Sequence, residues 1–262
     1  MSLPPIHRQV VVPASADKAF AVFTEQIGTW WPVGRFSLYG PDTTPEFRDG
    51  RLVEIGPAGD EAEWGRVVAW EPPYHLRMTW HPGRPGDRAG EVEVGFAPVT
   101  DALTLVTITH SGWERLADPA SSRREYGNGW PLVLRDYAAL LPGAPSSADP
   151  VWLVLSHTPA PGVDRPAEHP GFRGHAEFLA HLQQRGALVA AGPFPASGEG
   201  MTVVRVPAEE ADAILTAATE QDTSVTDGVL EVRVRPWLVT MTGPSLACAG
   251  ERNRRGVALP LE

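Results

Sequence analysis

Cysteine is almost missing: Cys248 is the single example in 262 residues. No disulfide can close within the chain, and no thiolate zinc site can be assembled. Such usage fits a reducing compartment, so a cytoplasmic location is expected. Lysine is equally scarce, with Lys18 alone against 21 arginines. Basic side chains are outnumbered 22 to 32, for a formal net charge of −10. The deficit is evenly spread, with 13 basic and 18 acidic side chains up to residue 143, and 9 and 14 beyond it. A phosphate backbone would be repelled, so neither nucleic acid nor an anionic membrane is expected as a partner. No window approaches the roughly 18 apolar residues needed to cross a bilayer. The opening "MSLPPIHRQVVVP" has no basic start followed by an apolar run, so no signal peptide is expected.

Catalytic and cofactor signatures are missing too. No G-x-S-x-G elbow occurs, and "GPAGDEAEWG" lacks the Lys-Ser/Thr of a P-loop. His157, His169, His175 and His181 are close in sequence, but no H-x3-H or HExxH pair stands on a helix. His175 and His181, six apart, fall on different sides of a helix. No metal and no cofactor are expected.

What is there is an ordinary globular composition, 42% hydrophobic and 21% charged, and length enough for two cores. "LPGAPSSADP" (141–150) has no periodicity and reads as a linker. The expected organisation is a domain over 1–142, a linker over 143–150, a domain over 151–242 and a loose tail over 243–262. In the first domain, "IHRQVVV" is a strand. "PASADKAFAVFTEQIGTWW" is a helix capped by Ser15, with Ala19, Phe20, Val22, Phe23 and Ile27 as its stripe. "RLVEI", "EWGRVVAWE", "YHLRMTWH", "GEVEVGFAP" and "ALTLVTITH" read as an antiparallel meander of about six strands. "SSRREYGNGWPLVLRDYAALL" closes the domain as a long amphipathic helix with Trp130, Val133, Leu134, Tyr137 and Leu141 on one side. A curved sheet gripping that helix is the simplest packing, and it tends to leave a cavity. The second domain reads as strand 151–157, helix 171–185, strands 187–192 and 201–206, helix 208–220, strand 229–240. This βαββαβ order predicts a four-stranded antiparallel sheet with both helices on one face. Its other face needs cover, from a partner chain or from the first domain.

Several residues invite a functional reading. In "HAEFLAHLQQRGALVAAGPFP", His175 opens a stripe continued by Phe178, Leu179 and Leu182. It is either a core histidine satisfied by a carbonyl or a working part of a pocket. Asp222, in "EQDTSVTDG", is either an Asx-turn residue or the partner that fixes the His175 tautomer. Arg173 is either an anion-binding group or a solvated flank. Seven of the nine tryptophans lie in the first domain. Trp30, Trp31, Trp80, Trp113 and Trp130 read as core or cavity lining. Trp30, Trp80, Trp113 and Trp130, with His110 and Arg173, are taken as candidate substrate contacts.

Residues 6–142 resemble the SRPBCC, or START-like helix-grip, superfamily, in the branch named after the heat-shock ATPase activator homologue. "VPASADKAFAVFT" with "WWP", "GRVVAWEPPYHLRMTW", and "LTLVTITHSGW" before the last helix carry the likeness. It implies a helix-grip fold that binds lipids or other hydrophobic ligands; some members are cyclases or other enzymes. Residues 151–240 resemble the YciI-related family of dimeric α+β barrels with a ferredoxin-like protomer. The pattern from His175 through Leu179 and Gly186 to Gly192-Pro193, then Asp222 and "GVLEVRVRPW", carries it. It implies that His175 and Asp222 are the active-site pair and that the chain is a homodimer through this domain. One relative is a dehydrochlorinating lyase. Where the family has Pro and an aromatic after the Asp, this chain has Thr223 and Ser224.

The expectation is therefore an α+β protein, a helix-grip domain followed by a ferredoxin-like α+β barrel domain. It binds a small, largely apolar organic molecule, with His175/Asp222 acid–base chemistry of lyase, isomerase or hydrolase type. The competing reading is a non-enzymatic ligand-binding or co-chaperone-like protein whose second domain is a dimerisation platform.

Overall fold

Seven antiparallel strands in the order β1-β7-β6-β5-β4-β3-β2 form the first sheet of the computed structural model. The structure describes residues 3–141, 150–195, 197–237 and 239. The expected linker, apart from Pro150, and the expected tail lie outside the described residues.

β1 (Ile6–Val12) is followed by α1 (Ala16–Glu25) and the short α2 (Ile27–Trp30). Ser15 caps α1 by accepting from the Lys18 amide, and Ala19, Phe20, Val22 and Phe23 are buried as the periodicity requires. β2 (Thr44–Arg48), β3 (Arg51–Ile55), β4 (Glu61–Glu71), β5 (His75–Trp80), β6 (Gly90–Thr100) and β7 (Leu103–Ser111) make the meander. β2 is the one strand without a sequence signal. "TPEFR" carries Pro45, which an edge strand tolerates because its outer N–H is not needed. α3 (Pro119–Ala139) lies across the sheet with Trp130, Val133, Leu134 and Tyr137 buried. The Tyr137 hydroxyl donates to the Ala19 carbonyl at 2.8 Å, which ties α3 to α1.

The second sheet has four antiparallel strands in the order β11-β8-β10-β9. The elements are β8 (Pro150–Pro159), α4 (Arg173–Gln184), β9 (Leu188–Pro193), β10 (Gly200–Pro207), α5 (Ala211–Thr216) and β11 (Leu230–Pro236). α5 runs into a π-helical turn at Ala217–Gln221, and α6 (Thr223–Thr226) follows. The single helix read over 208–220 is thus broken into pieces, and the break sets Asp222 between two of them.

Leu153 and Leu155 of β8, Val204 of β10 and Val234 of β11 pack with Phe178, Leu182, Ile214 and Leu215. Val11, Leu103 and Leu105, on the outer face of the first sheet, join the same cluster. The Gln9 side-chain amide then pairs with the free edge of β11. Its nitrogen donates to the Val234 carbonyl at 2.6 Å, and its oxygen accepts the Val234 amide at 2.7 Å. Arg123 and Glu231 add an ion pair. The first domain therefore meets the second at the β11 edge and the α5 side. The opposite face of the second sheet is left with Met201 and Trp237 exposed, and Trp237 rests against Trp152.

Candidate functional sites: a tryptophan-lined cavity and a His–Asp pair

A cavity of about 370 Å³ opens between the first sheet and α3. That size lies within the usual range for small-molecule sites, about 300–1,000 Å³. Trp31, Trp64, Trp80 and Trp130 wall it with Tyr126, Phe36, Leu38 and Val133, and Arg84, Ser122 and Glu125 supply polar groups. The tryptophans brace one another, with Trp31 lying 5.0 Å from Trp64 and 5.9 Å from Trp80, ring centre to ring centre. One wall is held by a buried acid. Glu54 accepts the Leu38 and Tyr39 amides at 2.9 Å and the Trp64 indole N–H at 2.8 Å. These donors pin the 37–40 turn and the Trp64 ring against β3. Nothing in the local pattern of "RLVEI" marks Glu54 as the residue that does this.

Trp80 and Trp130 line this cavity. Trp30 and Trp113 are corrected: they stand behind the cavity, buried, and are not in its wall. The Trp30 indole donates to the Val22 carbonyl and the Trp113 indole to the Pro4 carbonyl, so both serve the core. His110 is likewise behind the wall. Its Nδ1 accepts from Trp130 Nε1 at 3.1 Å, and its Nε2 is buried without a partner among the described residues. Burial, helped by the Arg84 guanidinium, lowers His110 to about 3, so the ring is neutral. Trp64, Tyr126 and Arg84 belong to the cavity and carry no signal in sequence; only folding brings them to it.

The second constellation lies on α4. Nδ1 of His175 is 2.8 Å from Oδ2 of Asp222. The other carboxylate oxygen, Oδ1, accepts the Ser224 amide at 3.0 Å and the Ser224 hydroxyl at 2.6 Å. Asp222 is therefore both the N-cap of α6 and the partner of His175; the two readings of this residue coincide. Burial would raise its carboxyl, but the hydrogen bonds from His175 and Ser224 outweigh that and hold it below the usual value. Ser224 supplies both donors of this cap. The approach depends on Gly174, where a Cβ would stand 1.8 Å from Thr223 Oγ1. The His175 side chain keeps 12% exposure, ringed by His157, Phe172 and Phe178.

His157 joins the pair from β8. Alternation along "VWLVLSH" sets it on the same face as Val151, Leu153 and Leu155, and that face meets α4. Its ring centre is 4.4 Å from that of His175, and neither of its nitrogens has a hydrogen-bond partner among the described residues. Burial, then the neighbouring His175, lower it to about 4. Potential ligand atoms of His157, His175 and Asp222 lie within 4.8 Å of one another. Both Asp222 oxygens are already engaged by His175 and Ser224. As built, the trio suits proton handling better than a coordination sphere, which would need three or four free ligands. Arg173 is corrected: its side chain is 86% exposed and pairs with Glu177 at 2.9 Å, outside the constellation.

A larger cleft, about 1070 Å³, lies between α3 and β1 on one side and α5, the π turn and β11 on the other. Arg8, Arg123, Asp212 and Glu220 line it, so both signs of charge face it. Among the described residues no helix is long and apolar enough to cross a membrane.

No curated protein matches the chain. Among solved structures, the self-sacrificing resistance protein CalC from Micromonospora echinospora is 25% identical, covering 53% of this chain and 94% of that one, with a TM-score of 0.41. The Aha1 dimer from Colwellia psychrerythraea is 17% identical over 53% of this chain and 96% of that one, with a TM-score of 0.40. The anthrahydroquino-gamma-pyrone synthase Txn09 is 30% identical over 55% of this chain and 90% of that one, with a TM-score of 0.34. The family model for "Activator of Hsp90 ATPase homolog 1-like protein" matches residues 13–141. Residues 13–141, the part that supplies β2 to β7, α3 and the tryptophan-lined cavity, thus belong to the Activator of Hsp90 ATPase homolog 1-like family.

Proposed function

We propose that the chain binds a small, largely apolar organic molecule in the cavity between the first sheet and α3. The observation that carries this is the cavity wall itself: about 370 Å³ bounded by four tryptophans and Tyr126, with a few polar groups. Large aromatic walls with sparse polar points are the usual chemistry of such sites. Relatives of the matched domain bind small hydrophobic ligands, which favours the same reading. Native mass spectrometry of the purified protein, with tryptophan fluorescence, tests it. A retained organic mass, or quenching that saturates, is expected. A protein free of small molecules whose fluorescence ignores aromatic probes removes the reading.

A second reading concerns the second domain, and the 2.8 Å contact between His175 and Asp222 favours it. We take this domain as YciI-related and ferredoxin-like; the strand order β11-β8-β10-β9 and the His–Asp pair support that assignment. Asp222 holds Nδ1, leaving Nε2 of His175 to accept or deliver a proton. A carboxylate partner raises the basicity of that atom and stabilises the imidazolium. Lyase, isomerase or hydrolase chemistry all use this step. A homodimer through the second domain accords with Met201 and Trp237 exposed on its open sheet face. Under the competing view, a non-enzymatic or co-chaperone-like protein, the same face serves only association. The absence of a membrane-crossing helix among the described residues and the single cysteine accord with a cytoplasmic setting. A bound molecule lying against His175 supports the enzyme; one confined to the tryptophans supports the carrier.

A further inference from the structure

Every buried tryptophan of the first domain but one has its indole N–H accounted for. Trp30 donates to Val22, Trp31 to Phe36, Trp64 to Glu54, Trp113 to Pro4 and Trp130 to His110. Trp80 is the exception. It lines the cavity, it is 2% exposed, and its Nε1 has no acceptor among the described residues. A buried donor left unmade is costly, so an orphan at a cavity wall is a position where an acceptor from elsewhere gains.

Arg84 repeats the pattern on the same wall. It follows β5 in the 81–84 turn, where its carbonyl is held by His81 Nδ1 at 3.1 Å. One terminal nitrogen donates to the Tyr126 hydroxyl at 3.0 Å, while its Nε is buried with no partner among the described residues. No carboxylate pairs with Arg84 among the described residues. Glu125, also on the lining, is exposed and accepts the Ser121 hydroxyl. The wall therefore holds a half-buried guanidinium with no carboxylate partner among the described residues and, buried beneath the aromatic faces, an indole N–H with no acceptor there. Two donors and one positive charge ask for an anionic oxygen, and the rings around them ask for a flat π-system.

We propose that this cavity selects a planar aromatic molecule carrying an anionic oxygen, a carboxylate or a phenolate, which draws the Arg84 guanidinium and the Trp80 indole N–H round to donate to it while the rings stack among the tryptophans. This rests on the reading that the cavity is the binding site, and it narrows the ligand class.

The test is a titration of the full chain, read by tryptophan fluorescence and calorimetry. The probes are 2-naphthoate, the neutral 2-naphthamide and the non-aromatic cyclohexanecarboxylate. 2-Naphthoate is expected to bind about tenfold or more tighter than 2-naphthamide, the gain of a charge-assisted over a neutral hydrogen bond. Cyclohexanecarboxylate is expected to be the weakest. Arg84→Met and Trp80→Phe are each expected to bring the ratio of naphthoate to naphthamide affinity close to one, whatever either change does to naphthamide binding itself. Equal binding of naphthoate and naphthamide to the wild-type chain overturns the proposal and leaves the cavity reading standing. If no aromatic probe binds, both fall. The wild-type comparison needs no variant, so misfolding of either substitution cannot blur the outcome.

Discussion

His175 and Asp222 stand 47 positions apart in the chain and 2.8 Å apart in space. The contact joins the first turn of α4 to the residue that follows a π-helical turn. It makes one prediction about chemistry and one about stability. Any turnover the second domain supports is expected to fall by about 10²–10⁴ in His175→Ala, the usual worth of a positioned acid–base group. Equal rates in the variant and wild type would remove the proposed base. Asp222→Ala loses the α6 cap as well as the imidazole partner, and is expected to cost about 2 kcal/mol in urea unfolding. His175→Ala should cost less, because the cap survives.

Gly174 tests whether the pair depends on a close approach. An added methyl would collide with Thr223 Oγ1 and press on the Ser224 amide, 2.9 Å away. Gly174→Ala is expected to destabilise by about 1–3 kcal/mol and to lift His175 off Asp222. Thr223→Ala in the same chain should recover part of the loss. Equilibrium unfolding of the two variants measures this, and a silent Gly174→Ala would mean that α4 is free to shift.

Glu54 is fully buried and collects three N–H donors, from Leu38, Tyr39 and the Trp64 indole. Glu54→Ala strands all three, and each stranded donor costs about 1–3 kcal/mol. A loss of about 3 kcal/mol or more is expected, with a change in Trp64 fluorescence as the 37–40 turn loosens. Glu54→Gln keeps an acceptor and should lose less. The same variants should weaken aromatic probes, because Leu38 and Trp64 are cavity wall.

Acid should unfold the protein in two stages. His110 and His157 are buried neutral, lowered to about 3 and about 4 from 6.5. Above pH 6.5 the folded and unfolded forms are both neutral, so these rings cost nothing. As pH falls below 6.5, the unfolded chain takes up protons that the folded chain refuses. Stability then drops by at most about 1.4 kcal/mol per pH unit for each ring, until the folded pKa is reached. Asp222, held below 3.8, adds to the loss only beneath that value, as its hydrogen-bonded carboxylate is protonated. Urea unfolding at pH 8, 6 and 5 checks the first stage, and His157→Leu should flatten part of it. A flat profile between pH 8 and 5 contradicts the assigned burial of both rings.

Local pattern carried much of the architecture. Ser15 before the Ala19–Phe23 stripe, the alternation of β7 and the Trp130–Tyr137 spacing of α3 each state, within a dozen residues, which side must leave water. Burial follows such periodicity, so α1, β1, β3 to β7 and α3 were legible. β2 was not, because Pro45 and a short edge strand leave no alternation to read. The broken end of α5 was not either, since a π turn has no composition signal. The His–Asp pair was legible through likeness to a family rather than through spacing.

What the tertiary structure alone decided is which buried groups meet. Pattern puts Trp30, Trp80, Trp113 and Trp130 inside, but only packing divides them into core and cavity wall. It likewise sets Arg84 beside Tyr126, Glu54 beneath Trp64 and His157 against His175. Hydrophobic burial has no direction, so a sequence can say that a ring is hidden. Hydrogen bonds are directional and short, so which donor finds an acceptor, and which is left waiting for one, is settled only when distant strands close to within about 3 Å.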